Sequence, residues 1–225
     1  MARRKARRRI TRRQLKEPDE FRTWASRLLE SLSVHKVAIT LSFLALIGVV
    51  LSLSLWRSYQ GRREEVAFSL LGGGIEIYHQ GGDPTEKLDQ IIKTYPGTKG
   101  ASLARLYRAK VSLNKGEWDK ALDDLKVLSQ KDLPSTLRVI TYCLMGEAYM
   151  GKEEWEEAKA KFLKAKEGEG RWISLYALLK LALCEEREGH LKEAKSYYSQ
   201  FLRLNPPEPL SLFSKLKIKE LSPSP

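Results

Sequence analysis

The chain has 225 residues and a formal net charge of +12, with 40 Lys and Arg against 28 Asp and Glu. The excess lies at the N-terminus: residues 1–63 hold 15 basic and 4 acidic residues, whereas residues 64–225 hold 25 and 24. A nearly neutral folded part lacks the basic surface of a nucleic-acid-binding domain, so no specific nucleic acid is expected as a partner. The sequence also lacks a nucleophile elbow, a phosphate-binding Gly loop and metal-ligand spacing of its His residues, which predicts a non-catalytic protein without cofactor or metal.

The N-terminal segment is strongly basic, with nine Lys or Arg and no acidic residue in the first 16 positions. Short basic flanks of a membrane span stay on the cytoplasmic side. Basic residues near an anionic leaflet each contribute about 1 kcal/mol of attraction. We therefore predict that residues 1–18 form a cytoplasmic tail that contacts membrane lipids, with ribosomal RNA as an alternative partner.

Residues 19–36 show the pattern of a short amphipathic helix. Phe21, Trp24, Leu28 and Leu32 recur at helical spacing, and charged residues occupy the other face. Such a helix can lie in the lipid headgroup region with Trp24 at the interface. The alternative is a helix that docks against another membrane protein.

Residues 37–56 form an uncharged run in which 12 of 20 residues are Val, Ile, Leu or Phe. A helix of this length spans roughly 30 Å, the thickness of the hydrocarbon core. The run is longer than the apolar part of a cleaved signal peptide and follows a long basic segment. It is therefore predicted to be a signal anchor, with the N-terminus in the cytoplasm and the remainder outside.

Residues 57–82 are predicted to be a stalk that contains the first helix of the folded domain. The segment Gly72-Gly73-Gly74 interrupts this stalk. Each Gly costs about 1 kcal/mol relative to Ala within a helix, so we expect a break or hinge there. The break would be either a plain loop or a swivel for the domain.

Residues 83–222 repeat a two-helix pattern every 36 to 37 residues. The recognisable units are residues 102–133, 139–170 and 175–206, and Leu210, Phe213, Leu216 and Leu221 predict a C-terminal capping helix. In each unit, small residues are expected where the paired helices cross, and aromatic residues are expected to fill the space beside them. The predicted packing residues are Ala109, Trp118, Ala121, Gly146, Trp155, Ala158, Ala182, Ala194 and Tyr198.

This spacing of small and aromatic residues resembles the tetratricopeptide repeat. The predicted fold is therefore all-α: one transmembrane helix, a solenoid of helix pairs and a capping helix. The resemblance implies a concave, mostly apolar face that binds an unfolded segment or an amphipathic helix, unless the chain's own first pair or capping helix covers it. The implied lining residues are Leu103, Leu106, Lys110, Leu113, Ile140, Cys143, Glu147, Met150, Tyr176, Leu179, Leu183 and Glu186.

The two cysteines, Cys143 and Cys184, lie one repeat apart in apolar segments. Free Cys is among the most buried residue types, so both are expected to be buried thiols. In an oxidising compartment the alternative is a disulfide between them.

The order of segments resembles the ancillary subunit family of the bacterial SecYEG translocon. The similar stretches include Thr98 to Leu128, Lys166-Glu167-Gly168-Glu169-Gly170 and Lys217 to Ser222. The resemblance implies a single-span inner-membrane protein with periplasmic repeats. Its implied partners are translocon subunits, periplasmic chaperones and unfolded client segments. The alternatives are an envelope-assembly or division scaffold that binds a folded protein, and a cytoplasmic signalling or ribosome-tethering protein.

Overall fold

The computed structural model describes Trp24 and residues 36–222, and within these residues the only regular secondary structure is helical. The chain divides into two compact units, Met1–Gln60 and Gly61–Pro225. The predicted basic tail lies outside the described residues. So does the predicted amphipathic helix over residues 19–36, apart from Trp24, which is helical, and Lys36, the first residue of the long helix that follows.

The first long helix, α1, comprises Lys36–His79. Of the described helices, only this one is long and apolar enough to cross a membrane, with a mean hydropathy of 2.4 over its most apolar 18 residues. Its residues 37–56 are exposed around the whole circumference. A helix that is apolar on all sides is typical of a membrane span or of the core of a large protein, and none of this stretch is buried.

The predicted break at Gly72-Gly73-Gly74 is wrong, because α1 continues through all three residues. The following helix, α2 (Thr85–Thr94), approaches Gly73 and Gly74. A Cβ atom at Gly74 would lie 3.3 Å from Leu88 Cδ2, and one at Gly73 would lie 2.6 Å from Lys87 Nζ. Gly74 therefore allows the two helices to approach, and burial of apolar side chains on α2 offsets the low helix propensity of the three glycines.

Seven more helices follow α2 in the described residues. They are α3 (Lys99–Asn114), α4 (Trp118–Ser129), α5 (Ser135–Gly151), α6 (Trp155–Lys166), α7 (Arg171–Arg187), α8 (Leu191–Arg203) and α9 (Leu210–Glu220). The helices α3/α4, α5/α6 and α7/α8 form three successive pairs, and each helix packs against the next one. The predicted all-α repeat fold is confirmed.

The turn inside each pair has the same backbone form. Gly116, Glu153 and Gly189 each have a positive φ, at 74°, 61° and 81°. Directly after each of them, the N–H of Glu117, Glu154 or His190 donates to a carbonyl of the preceding helix at 2.8–3.0 Å. Gly adopts a positive φ without steric cost, whereas Glu153 adopts it at a steric cost. The same turn therefore links the two helices of all three pairs.

The predicted packing residues lie at the helix crossings. Ala109, Ala121, Ala158, Ala182, Ala194 and Tyr198 are fully buried, and Trp118 and Trp155 are half-buried. Gly146 is buried against Phe162: a Cβ atom there would lie 2.6 Å from two of its ring carbons. The small residues thus let the first helix of a pair approach the second closely enough to bury an aromatic ring.

The predicted capping helix α9 is present, and most of the apolar residues that predicted it are only partly covered. Leu210, Phe213 and Leu216 are 38%, 38% and 57% exposed, whereas Ser211 and Ser214 are buried. Phe213 meets the ring of Tyr198 edge-to-face at 6.2 Å, and Leu221 joins Ile218 against the same residue. The small Ser211 and Ser214 are buried and allow close approach of α9 to α8, and Leu210 and Leu216 are left partly exposed.

Candidate protein-binding groove

An apolar cleft lies between the first helices of the first two clear pairs. We call it the α3–α5 cleft, and its volume is about 340 Å³. Apolar side chains dominate its walls, and most of them are half-buried and pack against the neighbouring core clusters. Its lining residues are Leu103, Leu106, Tyr107, Lys110, Leu137, Ile140 and Leu144.

Four residues predicted for the concave face, Leu103, Leu106, Lys110 and Ile140, lie together in this cleft. Sequence reasoning missed Tyr107, Leu137 and Leu144. The two leucines lie three residues before and four residues after Ile140, so helical spacing around Ile140 could have identified them. Tyr107 follows Leu106 directly and was not distinguishable from a core aromatic residue.

A second, more polar cleft of about 380 Å³ lies further along α3 and α5. It contains three other predicted concave residues, Leu113, Glu147 and Met150. Leu113 is buried, and the remaining wall includes Lys180 of α7. The predicted row of concave residues therefore continues from the apolar cleft into a charged region.

Glu147 organises that charged region. It accepts a hydrogen bond from the Tyr176 hydroxyl, and Lys180 Nζ lies 3.3 Å from its carboxylate. The same ammonium lies 5.3 Å from the centroid of the Tyr176 ring. Burial and the neighbouring Glu147 raise the pKa of Tyr176, so its hydroxyl stays protonated and donates. These contacts fill the space between α5 and α7 with the chain's own side chains.

Both cysteines are free thiols in the structure. Burial, assisted by Glu147, raises the pKa of Cys143 to about 11. Burial likewise raises the pKa of Cys184 to about 12. Thiols with such pKa values are mostly protonated near neutral pH and behave as small apolar side chains.

The predicted concave residues of α7 lie in different surroundings. Leu179 packs against the buried residues Phe201 and Tyr198 of α8, and Leu183 is half-buried. Glu186 accepts hydrogen bonds from the Tyr198 hydroxyl at 2.8 Å and from Lys217 Nζ of α9 at 2.6 Å. The capping helix thus covers this end of the row.

The first helix covers part of the opposite end. Lys110 Nζ lies 5.6 Å from the centroid of the Tyr78 ring of α1. Asn114 donates to the Tyr78 hydroxyl at 3.0 Å. Tyr78 of α1 therefore lies at one edge of the α3–α5 cleft, and α9 covers the α7 end of the predicted row.

Glu186 makes the attachment of α9 sensitive to pH. Burial opposes its ionisation, but the hydrogen bonds from Lys217 and Tyr198 outweigh burial and lower its pKa below 4.5. Because the folded pKa is lower than the unfolded one, this stabilisation is complete above about pH 4.5 and is lost as the pH falls through the folded pKa. We expect Glu186→Gln to cost about 1 kcal/mol at neutral pH, since both ionic partners are partly exposed.

The measurement is the thermal unfolding temperature of the wild type and of Glu186→Gln over a pH series. The difference between them should shrink below pH 4.5, and the exposed Glu193→Gln is the control on α8. A difference that stays constant through the acid range would contradict this assignment.

Two ion-pair clusters lie away from the cleft. Asp124 of α4 binds Arg105 and Arg108 of α3 at 3.0 and 2.6 Å, and Arg108 also pairs with Asp89. Lys159 of α6 lies 3.3 Å from Glu185 of α7 and 2.5 Å from Glu188, the residue that follows α7. Each cluster joins neighbouring helices, which indicates a role in stacking.

The second cluster is also the one group of potential metal ligands found in the described residues. Ligand atoms of Glu185, Glu188 and His190 lie within 4.8 Å of one another. Spacing in the sequence did not single out this group. The Lys159 ammonium lies against both carboxylates and supplies the positive charge that a metal ion would bring, so these residues are better described as an ion-pair cluster.

The stacked helix pairs and the apolar cleft define a helical-repeat protein of the kind that binds other proteins. The chain belongs to the tetratricopeptide repeat-like domain family, which matches residues 33–222. The solved structure of PilF from Pseudomonas aeruginosa is similar, with a TM-score of 0.57 and 19% identity over 71% of this chain and 68% of that one. At this identity the likeness concerns the fold alone. A comparison with curated proteins gives no match.

Proposed function

We propose that this protein is a membrane-anchored interaction module that holds an apolar segment of another protein in the α3–α5 cleft. The observation that carries this proposal is the set of half-buried apolar side chains in a cleft of about 340 Å³. A groove of this kind suits a helix or an extended segment that inserts a few apolar side chains. The apolar stretch of α1 supports the anchoring.

More specifically, we propose that the protein is an accessory of the Sec translocon in the bacterial inner membrane. The basic N-terminal segment favours a cytoplasmic N-terminus and periplasmic repeats. In this position the cleft would contact secreted chains as they emerge and pass them to periplasmic chaperones. The resemblance in segment order to the translocon subunit family supports this assignment.

The test is site-specific photo-crosslinking in living cells with the probe at Ile140, which lies in the cleft. A probe at Lys161 on α6 is the control outside the cleft. We expect adducts to translocon subunits or to nascent secreted chains from Ile140 and not from Lys161. Adducts only to cytoplasmic proteins would overturn the periplasmic assignment.

A matched pair of variants tests the cleft itself. Ile140→Asp places a charge among apolar walls, whereas Thr136→Asp places the same charge on an exposed position of the same helix. The adducts are measured with the probe at Leu144, which lines the same cleft. Ile140→Asp should abolish these adducts, and Thr136→Asp should preserve them. Equal adducts in both variants would show that the cleft is not the binding site.

An envelope-assembly or division scaffold is the second candidate, because apolar side chains are also exposed outside the cleft, on α9. In that case the crosslinks from Ile140 would be absent or confined to one folded envelope protein.

A further inference from the structure

Lys110 differs from the other residues that line the α3–α5 cleft, because it is the one charged side chain among them. It is exposed, and it forms no ion pair with any residue that the structure describes. Its Nζ lies 5.6 Å from the centroid of the Tyr78 ring of α1. The α1 end of an otherwise apolar cleft therefore carries a positive charge that is accessible to a ligand.

Tyr78 adds a second polar group at the same end of the cleft. Its ring meets that of Tyr107, one of the lining residues, edge-to-face at 6.2 Å. Its hydroxyl accepts a hydrogen bond from Asn114 at 3.0 Å. A phenol hydroxyl also has one proton to donate, and no described residue accepts that proton. An ammonium and a hydroxyl thus lie at this end without an acceptor among the described residues.

A complete version of this arrangement lies between α5 and α7. There Lys180 Nζ lies 5.3 Å from the centroid of the Tyr176 ring. The Tyr176 hydroxyl donates to Glu147, and Lys180 Nζ lies 3.3 Å from the same carboxylate. One carboxylate therefore binds both the hydroxyl of a tyrosine and the lysine that lies over its ring. Lys110 and Tyr78 repeat the first two parts of this arrangement and lack the carboxylate.

The position of Lys110 and Tyr78 distinguishes them from the other contacts of this kind. Among the described residues, Lys161 also lies over the Tyr149 ring and Lys164 over the Tyr142 ring. Neither of these pairs lines the apolar cleft. At Lys110, in contrast, apolar walls and an unused cation lie side by side. A ligand that fills the cleft therefore also reaches the ammonium.

From these observations we infer that the ligand of the α3–α5 cleft is an apolar segment that carries an Asp or Glu side chain, and that Lys110 and Tyr78 bind its carboxylate. The inference rests on the proposed function, because it specifies the chemistry of the segment that the cleft holds. A wholly apolar segment would leave both donors to water, and a basic one would bring like charges together. The two groups thus favour acidic segments among the apolar segments that fit the cleft.

The test measures binding of helix-constrained, fluorescent peptides to the full chain in lipid nanodiscs, with empty nanodiscs as the background. The peptides share one face of leucines and carry Glu, Gln or Lys at both ends of that face, so that either orientation presents this residue to Lys110. Acetylated and amidated termini exclude binding through a terminal carboxylate. We expect the Glu peptide to bind at least about tenfold more tightly than the Gln peptide, a factor that corresponds to about 1.4 kcal/mol. The Lys peptide should bind most weakly.

Three chain variants locate the carboxylate. Lys110→Gln should reduce the preference for the Glu peptide over the Gln peptide to under about threefold, because the charge is lost. Tyr78→Phe keeps the ring and removes the hydroxyl, so it should reduce the preference by a smaller factor. Lys126→Gln is the matched control, since it removes the same charge from an exposed position of α4. This control should leave the preference unchanged.

The outcomes separate this inference from the proposed function. Ile140→Asp should weaken binding of the Glu and Gln peptides by about tenfold or more, and binding unaffected by this variant would overturn both proposals. If binding depends on Ile140 but the Glu and Gln peptides bind equally, only the inference fails. A preference that survives Lys110→Gln, or absence of binding of the Glu peptide, would also overturn it. Self-association of the chain that Ile140→Asp abolishes would overturn it too, because the cleft would then hold a second copy.

Discussion

Replacing Phe162 by Ala is expected to lower the free energy of unfolding of the repeat domain by about 3–5 kcal/mol. Phe162 is fully buried in a cluster that includes Val139 of α5 and Leu181 of α7. Its ring also meets Tyr176 edge-to-face at 6.3 Å. Since each pair in a solenoid contacts only its neighbours, a cavity at this point weakens the junction between the second and third pairs.

Chemical denaturation of the chain in detergent micelles, followed by circular dichroism, measures this loss. Leu163→Ala is the matched control, because Leu163 is the next residue of the same helix and is 39% exposed. We expect this control to cost under about 1 kcal/mol. Equal effects of the two substitutions would show that Phe162 does not hold the pairs together.

A second variant tests the geometry that allows this burial. Gly146→Ala places a Cβ atom 2.6 Å from the Phe162 ring, which should cost about 1–3 kcal/mol. In the Phe162→Ala background the added methyl group enters the cavity instead, so the cost should fall or change sign. The double-mutant cycle therefore measures the coupling between the two positions.

The helix pairs could be predicted because their packing residues recur at a fixed spacing. Ala121 and Ala158 lie one repeat apart and are both fully buried, and Phe162 and Tyr198 show the same relation. These residues sit where helices must approach, so the local sequence carries information about tertiary packing. That is why the fold class follows from sequence alone.

Two features depended on tertiary contacts that local sequence does not contain. Helix propensity predicts a break at Gly72-Gly73-Gly74, but packing against Leu88 keeps α1 continuous. Periodicity identifies α9 as an amphipathic helix, but it does not decide which side faces the core. In α9 the polar Ser214 is buried and the apolar Leu216 is exposed, which is the reverse of the usual burial of apolar residues.

The candidate site was predictable to a similar degree. The resemblance to the tetratricopeptide repeat implied that Leu106 and Ile140 share one face, and both line the same cleft. The resemblance does not reveal that Leu179 packs against α8. Nor does it pair Tyr176 with Glu147, since the two residues are 29 positions apart in the chain. Which concave positions stay open depends on such long-range pairs.

Loss of the Asp124 carboxylate is the other change for which we expect a large effect. Asp124 is only 3% exposed, and its carboxylate binds the guanidinium groups of Arg105 and Arg108. These contacts, chiefly the hydrogen bond to Asp124, raise the pKa of Arg108. Asp124→Ala leaves two partly buried cations without this partner. We expect it to cost about 3 kcal/mol, the low end for a broken buried pair, since both arginines are about a quarter exposed.

The neighbouring Asp123→Ala is the matched control, because Asp123 is exposed on the same helix and should contribute under about 0.5 kcal/mol. A triple variant, Asp124→Leu with Arg105→Met and Arg108→Met, separates lost attraction from uncompensated charge. Replacing a buried ionic group by apolar residues of similar volume is often close to neutral. The triple variant should therefore be more stable than Asp124→Ala. If the triple variant is as unstable as Asp124→Ala, the ion pairs themselves stabilise the α3–α4 contact. The loss of stability then does not come from cations left without a partner.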